Sequence, residues 1–168
     1  MTLYGIQDAP PLALLSYALR RELGWTSLPE IARTEKGKPY FPSFPDIRFN
    51  WSHSGSYVLC AVSSRPVGAD IERVRPRRDS LPAYALTEPE LEIYRSLGAD
   101  WPAFYALWTR KEAWCKYTGE GLAVSWKQTP PGQGLYYGAY AGGDWRAAVC
   151  GEEAPPDEII WVDREALS

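Results

Sequence analysis

The run Tyr57-Val58-Leu59-Cys60-Ala61-Val62-Ser63, then Ser64-Arg65-Pro66, then Val67-Gly68-Ala69-Asp70-Ile71-Glu72, is where the reading of the fold turns. Apolar and β-branched residues fill both flanks, and Ser-Arg-Pro between them is turn chemistry. The sequence predicts two strands joined as a hairpin. A strand sends residues i and i+2 to one face. Asp70 and Glu72 therefore point the same way, and Ile71 between them points to the other side, as a core residue does. Two carboxylates placed together repel unless a cation sits between them. A solvated hairpin edge tolerates such a pair as well, but this one falls at the end of its strand, where sites tend to form.

Just upstream, Phe49-Asn50-Trp51-Ser52-His53-Ser54-Gly55 holds the chain's one histidine and leads into the first strand. Ser52 and His53 lack the G-x-S-x-G setting of a nucleophile elbow. The hydroxyls of Ser52 and Ser54 suit phosphate oxygens, with Gly55 letting the backbone come close. Further back, Lys36-Gly37-Lys38-Pro39 lies in a Pro-, Gly- and Lys-rich stretch to Pro45 that reads as irregular. It lacks the spacing of a Walker loop and reads alone as a basic turn.

Helical signals flank this centre. Leu12, Leu15, Leu19 and Leu23 recur at helical spacing after Pro10-Pro11, and Gly24 stops them. Thr87-Glu88-Pro89-Glu90 is a capping box opening a short helix that ends at Gly98. Pro102 opens a stronger helix with an apolar face of Phe104, Leu107, Trp108, Trp114 and Cys115, closed by Gly119. Glu112 and Lys116 lie four apart on it, alone no more than a surface ion pair worth roughly 0.3–0.5 kcal/mol. Strand-like runs follow at Leu135 to Ala141, Trp145 to Cys150 and Glu158 to Val162, the first two joined by Gly142-Gly143-Asp144. The order helix, strands, helices, strands is an α+β pattern. Arg73 to Arg78 is a basic connector, which divides the chain into an N-terminal half, 1–78, and a C-terminal half, 79–168.

The composition of the whole chain narrows the classes. Its 168 residues are 45% hydrophobic and 23% charged, with net charge −3 and pI about 5.3. That fits one ordered globular unit or two small halves, and argues against broad nucleic-acid binding. No apolar run reaches the roughly 20 residues of a membrane span, and Met1-Thr2-Leu3-Tyr4-Gly5-Ile6 is too polar for a signal peptide. Cys60, Cys115 and Cys150 are too widely spaced for a zinc or disulfide pattern and read as buried thiols. The protein is read as cytoplasmic.

Taken together, Gly37-Lys38-Pro39, Asn50 to Gly55, Gly68-Ala69-Asp70-Ile71-Glu72, and Trp108-Thr109-Arg110-Lys111-Glu112-Ala113-Trp114-Cys115-Lys116 with Gly119-Glu120-Gly121-Leu122 resemble the motif series of the 4′-phosphopantetheinyl transferases of the surfactin-synthetase-activating type. The motifs keep the family's order and cover about half of the chain. The resemblance implies a pseudo-twofold α+β fold, each half with a small antiparallel sheet and a long helix, and coenzyme A in the cleft between them. It implies transfer of the phosphopantetheine arm of coenzyme A to a serine of an apo acyl or peptidyl carrier protein, releasing adenosine 3′,5′-bisphosphate. By position, Asp70, Glu72 and Glu112 become ligands of Mg²⁺, or of Mn²⁺, which the same ligands suit. Glu112 becomes the base for the carrier serine and Lys116 the cation on the pyrophosphate. His53 is implied at the 3′-phosphate, Ser52, Lys38 and Pro39 in the nucleotide pocket, and Lys111 beside them.

One departure stands out: about thirty-five residues precede the Gly-Lys-Pro motif, where this type carries a longer segment with basic residues for the 3′-phosphate. The expectation is weaker binding of coenzyme A or looser discrimination against its dephospho analogue, with Arg20, Arg21 or Arg33 as partial substitutes. Arg73, Arg75, Arg77 and Arg78 can steer an acidic carrier, or form a solvated linker. By analogy the protein is a monomer that meets neither nucleic acid nor membrane. Two other readings compete: a non-catalytic coenzyme A-binding or carrier-docking protein, and a Mg²⁺-dependent pyrophosphate hydrolase.

Overall fold

The computed structural model describes residues 1–120 and 128–167; Gly121 and Leu122 of the last motif lie outside them. The chain opens on β1 (Thr2–Gln7), which the sequence pattern did not reveal, and enters α1 (Pro11–Leu23). Pro11 takes the first helical position, and Gly24 closes the helix in the left-handed conformation, φ 69°, where a glycine carries no Cβ penalty. Leu14, Leu15, Ala18 and Leu19 form its buried face, whereas Leu12 and Leu23, expected on that face, are exposed. A short hairpin of β2 (Ala32–Arg33) and β3 (Pro39–Tyr40) gives some order to the basic stretch read as irregular.

β4 (Arg48–Ser54), β5 (Tyr57–Ser63) and β6 (Val67–Arg73) follow. Here the structure corrects the sequence reading: β5 and β6 are not a hairpin. β5 is central in a four-stranded sheet of order β4-β5-β1-β9, where β9 (Ile160–Trp161) pairs with β1 in parallel. β6 leaves that sheet and hydrogen-bonds to β8 (Trp145–Gly151) in a three-stranded antiparallel sheet β6-β8-β7, with β7 (Tyr136–Ala141) at its edge. The physical reason is burial. Every residue of β5 is buried, as are Val67 to Ile71 of β6. Strands that apolar have to be covered on both faces, which two packed sheets achieve and a half-exposed hairpin does not.

Two of the C-terminal helices form where the sequence places them, and a short one before them was not foreseen. After α2 (Leu81–Ala85), α3 (Glu88–Ser96) carries the reciprocal Thr87–Glu90 capping box. α4 (Trp101–Thr118) starts at Asp100, whose side chain accepts the Ala103 N–H, and ends at Gly119, φ 72°. The chain is thus a mixed α+β protein of small, mainly antiparallel sheets and helices, with cores under α1 and between the two sheets. β6 lies between α4 on one side and β4 on the other, so all three motif segments meet there.

Candidate active site

β4 and β6 run side by side in the same direction, joined by side chains. Asn50 Oδ1 accepts the Ala69 N–H at 2.9 Å, Ser52 Oγ donates to Asp70 Oδ1 at 2.7 Å, and Ser54 Oγ donates to Glu72 Oε2 at 2.6 Å. From the helix side, Lys116 Nζ donates to the same Asp70 oxygen at 2.7 Å and to Ser52 Oγ at 2.8 Å. Lys116 therefore does not form the simple i,i+4 pair with Glu112 that spacing alone suggested; it crosses to the strand.

Asp70 and Glu112 are buried, and one oxygen of each, Asp70 Oδ2 and Glu112 Oε1, has no hydrogen-bond partner among the described residues. An unpartnered buried polar atom is costly. Burial, and then the charge of Asp70, push Glu112 from 4.5 up to about 7. Burial raises Asp70 against the opposing pull of Lys116, and raises Glu72 too. Excess negative charge with orphaned carboxylate oxygens is the donor set a hard divalent cation takes. Among the described residues no three His, Cys, Asp or Glu side chains are already gathered for a metal. The fit rests on oxygen donors, charge and the two orphaned atoms.

Two clefts flank the carboxylates. One, about 300 Å³, is lined on the helix side by Glu112, Cys115 and Lys116, and elsewhere by Trp51, Pro39 and the basic Arg33, Lys36 and Lys38. The other, about 700 Å³, begins at Glu72 and continues over Tyr84, Phe104 and Trp108, with Arg77 and Arg78 beside them.

The structure distributes the remaining sequence candidates unevenly. Lys38 gives the cleft its stem, while its ammonium donates to the Tyr117 carbonyl at 2.5 Å, capping the end of α4; burial lowers it to about 8. Ser52 faces Asp70. His53 is on the opposite face of β4, exposed and next to Trp51 on that face. Lys111 is fully buried away from the clefts, where Nζ meets Glu90 Oε2 at 2.6 Å and the Ala85 carbonyl at 3.0 Å. Arg33, noted from sequence as one of three possible substitutes, lies over the Trp51 ring, 6.0 Å from its centroid, at the cleft. Arg20 instead donates to the Ala166 carbonyl. The fold separates these arginines: Arg20 is held on α1, while Arg33 sits on the short hairpin at the cleft.

The family model described as the 4′-phosphopantetheinyl transferase superfamily matches residues 66–150, which include Asp70, Glu72, Glu112 and Lys116. A 4′-phosphopantetheinyl transferase of Bacillus subtilis is 41% identical over 95 residues, 54% of this chain and 41% of the relative. The 4′-phosphopantetheinyl transferase AcpT of Salmonella typhi is 38% identical over 124 residues, 68% of this chain and 61% of that protein. The 4′-phosphopantetheinyl transferase HetI of a Nostoc species is 42% identical over 80 residues, 45% of this chain and 34% of that protein. The chain spans about two fifths of the length of the Bacillus relatives it matches.

Proposed function

The chain belongs to the 4′-phosphopantetheinyl transferase superfamily, and on that premise we propose that it moves the 4′-phosphopantetheine group of coenzyme A onto a serine of an apo acyl or peptidyl carrier protein, with Mg²⁺, releasing adenosine 3′,5′-bisphosphate. The observation that carries this reading is the pair of orphaned carboxylate oxygens, Asp70 Oδ2 and Glu112 Oε1, beside Lys116 and between two clefts. The nucleotide takes the basic cleft, with Arg33 and His53 at the 3′-phosphate, both on the Trp51 face of β4. The pantetheine arm and the carrier approach over the aromatic cleft that begins at Glu72.

Asp70, Glu72 and Glu112 hold the cation. Bound there, Mg²⁺ offsets the pyrophosphate charge and polarises the phosphoryl group. Glu112 accepts the proton of the carrier serine directly or through water. The serine oxygen forms its bond to the β-phosphorus as the bond to the bridging oxygen breaks. Lys116 meets the charge that develops on the departing bisphosphate. The protein is taken as a cytoplasmic monomer with two pseudo-twofold halves.

The test is incubation with coenzyme A, Mg²⁺ and an apo carrier, followed by weighing the carrier. A gain of one phosphopantetheine supports transfer. Bound coenzyme A without turnover supports a docking protein, and nucleotide cleavage without a modified carrier supports a hydrolase; either overturns the proposal.

A further inference from the structure

Ser52 and Ser54 each sit between an N–H donor and a carboxylate. Ser52 Oγ receives Lys116 Nζ at 2.8 Å, and Ser54 Oγ receives the Arg73 backbone N–H at 3.1 Å. A hydroxyl has one proton to give. With a donor already on each oxygen, that proton is directed to the carboxylate: Ser52 to Asp70 Oδ1 at 2.7 Å, Ser54 to Glu72 Oε2 at 2.6 Å. The arrangement repeats at i and i+2 on β4 against i and i+2 on β6, where the two strands lie in register without sharing a sheet. At Asp70 the consequence is specific. Oδ1 takes both Ser52 and Lys116, and Oδ2 alone is left buried without a partner.

From this we propose that Ser52 and Ser54 are positioning residues for the cation rather than phosphate ligands: their hydroxyls occupy one oxygen of each strand carboxylate and so fix the orientation of Asp70 and Glu72. The inference rests on the proposed metal-dependent reading of the site, and it reassigns Ser52 from the nucleotide pocket where the sequence placed it. Neither hydroxyl touches the cation or substrate. Each acts through its carboxylate, and outer-shell partners of this kind typically govern metal affinity by about ten- to a hundredfold.

The experiment separates this from phosphate binding and from a merely structural role. Mn²⁺ is titrated into wild type, Ser52→Ala, Ser54→Ala and Ser54→Thr without coenzyme A, and free Mn²⁺ is read by electron paramagnetic resonance. The KM for coenzyme A and urea unfolding are measured on the same proteins. The expected result is about tenfold or greater loss of Mn²⁺ affinity in both alanine variants, recovery in Ser54→Thr, which restores the hydroxyl, and a KM for coenzyme A within about twofold of wild type at saturating metal. Unchanged Mn²⁺ affinity with a raised KM would return the serines to the phosphate and overturn the proposal. Affinity loss that merely tracks unfolding, with no recovery in the threonine variant, would overturn it too. Because Mn²⁺ affinity is read without carrier or turnover, a wild type that binds metal but modifies no carrier would remove the transferase reading while leaving this one standing.

Discussion

Gly68 of β6 lies against the backbone of α4 so closely that a Cβ on it would fall 2.1 Å from the Ala113 carbonyl oxygen and 2.3 Å from the Tyr117 nitrogen. Two residues along the strand is Asp70; three residues past Ala113 is Lys116; and these two side chains meet at 2.7 Å. The missing side chain is what allows the strand carboxylates and the helix residues to share one site.

Gly68→Ala therefore forces α4 away from β6, since both clashing atoms are backbone. Overpacking of this kind costs about 1–3 kcal/mol, occasionally more. Displacing catalytic groups by about an ångström can cost on the order of a hundredfold in rate. The variant should unfold at lower urea and show transfer reduced by that order. A wild-type midpoint with wild-type transfer would refute the close approach.

The stability of the metal-free protein should fall as pH rises through the range set by Glu112. Its carboxyl is raised from 4.5 to about 7 in the folded state. Between those values the folded protein holds a proton that the unfolded chain has released, so stability declines with rising pH and levels off above about 7. Asp70 and Glu72 are raised as well and act in the same direction. Glu112→Gln removes a charge-burial cost and should be more stable than wild type at pH 8 by on the order of 3–4 kcal/mol, the shift from 4.5 to about 7 converted at about 1.4 kcal/mol per unit, while losing transfer. Thermal unfolding at pH 5 and pH 8 checks this. The same pH dependence in both proteins would show that Glu112 is not the group responsible.

What could be read in advance was what neighbouring residues decide. The Thr87–Glu90 box, the Gly119 end of α4 and the Gly142-Gly143-Asp144 turn are local chemistry, and they formed as read. The path of β6 was not legible, because Ser64-Arg65-Pro66 permits either a hairpin or a crossing. The choice is made by β8, far away in sequence, which pairs with β6 from Val67 to Arg73. Lys111 shows the same limit within the site. The resemblance implied a pocket residue, yet helix rotation carries it to Glu90, a contact no spacing rule announces.

That buried pair makes a prediction of its own. Lys111 is 0% and Glu90 5% exposed in their side chains, and Glu90 Oε2 also accepts the Thr87 N–H at 2.7 Å. Removing one member leaves a buried charge unpaired, at a cost of about 3–5 kcal/mol. Lys111→Met should be strongly destabilised, and the double variant Lys111→Met/Glu90→Leu should recover much of the loss. A double-mutant cycle by urea unfolding measures the coupling. Additive effects would mean that the pair is not a unit.

Arg75 and Arg78 are exposed on the connector after β6, and Arg78 lines the aromatic cleft. Arg77 donates to the Tyr105 hydroxyl at 3.5 Å, so it is the poorer choice for a charge-reversal test. If the carrier is acidic and approaches here, Arg75→Glu/Arg78→Glu should lower kcat/KM for the carrier by about tenfold at low salt, with the gap closing at high salt as charges are screened. The KM for coenzyme A should stay the same. A salt-independent rate equal to wild type would leave the connector as a solvated linker.

Arg33 carries the last prediction, because two roles compete for it. Its guanidinium donates to the Gly37 carbonyl at 2.8 Å, tightening the hairpin tip, and also lies over Trp51 at the basic cleft. Lys36, the neighbouring cation, is paired with Glu120, and Lys38 caps α4. That leaves Arg33, with the exposed His53 on the same face of β4, as the cation best placed to answer a 3′-phosphate. A hydrogen bond to a charged group contributes about 1.5–3 kcal/mol, equivalent to about ten- to a hundredfold in affinity. Arg33→Ala should raise the KM for coenzyme A by that factor and leave the KM for dephospho-coenzyme A nearly unchanged, so that the variant no longer distinguishes the two. Steady-state kinetics with both substrates decides it. An equal rise for both would mean that Arg33 serves the hairpin and Trp51 alone, and that the 3′-phosphate is held elsewhere.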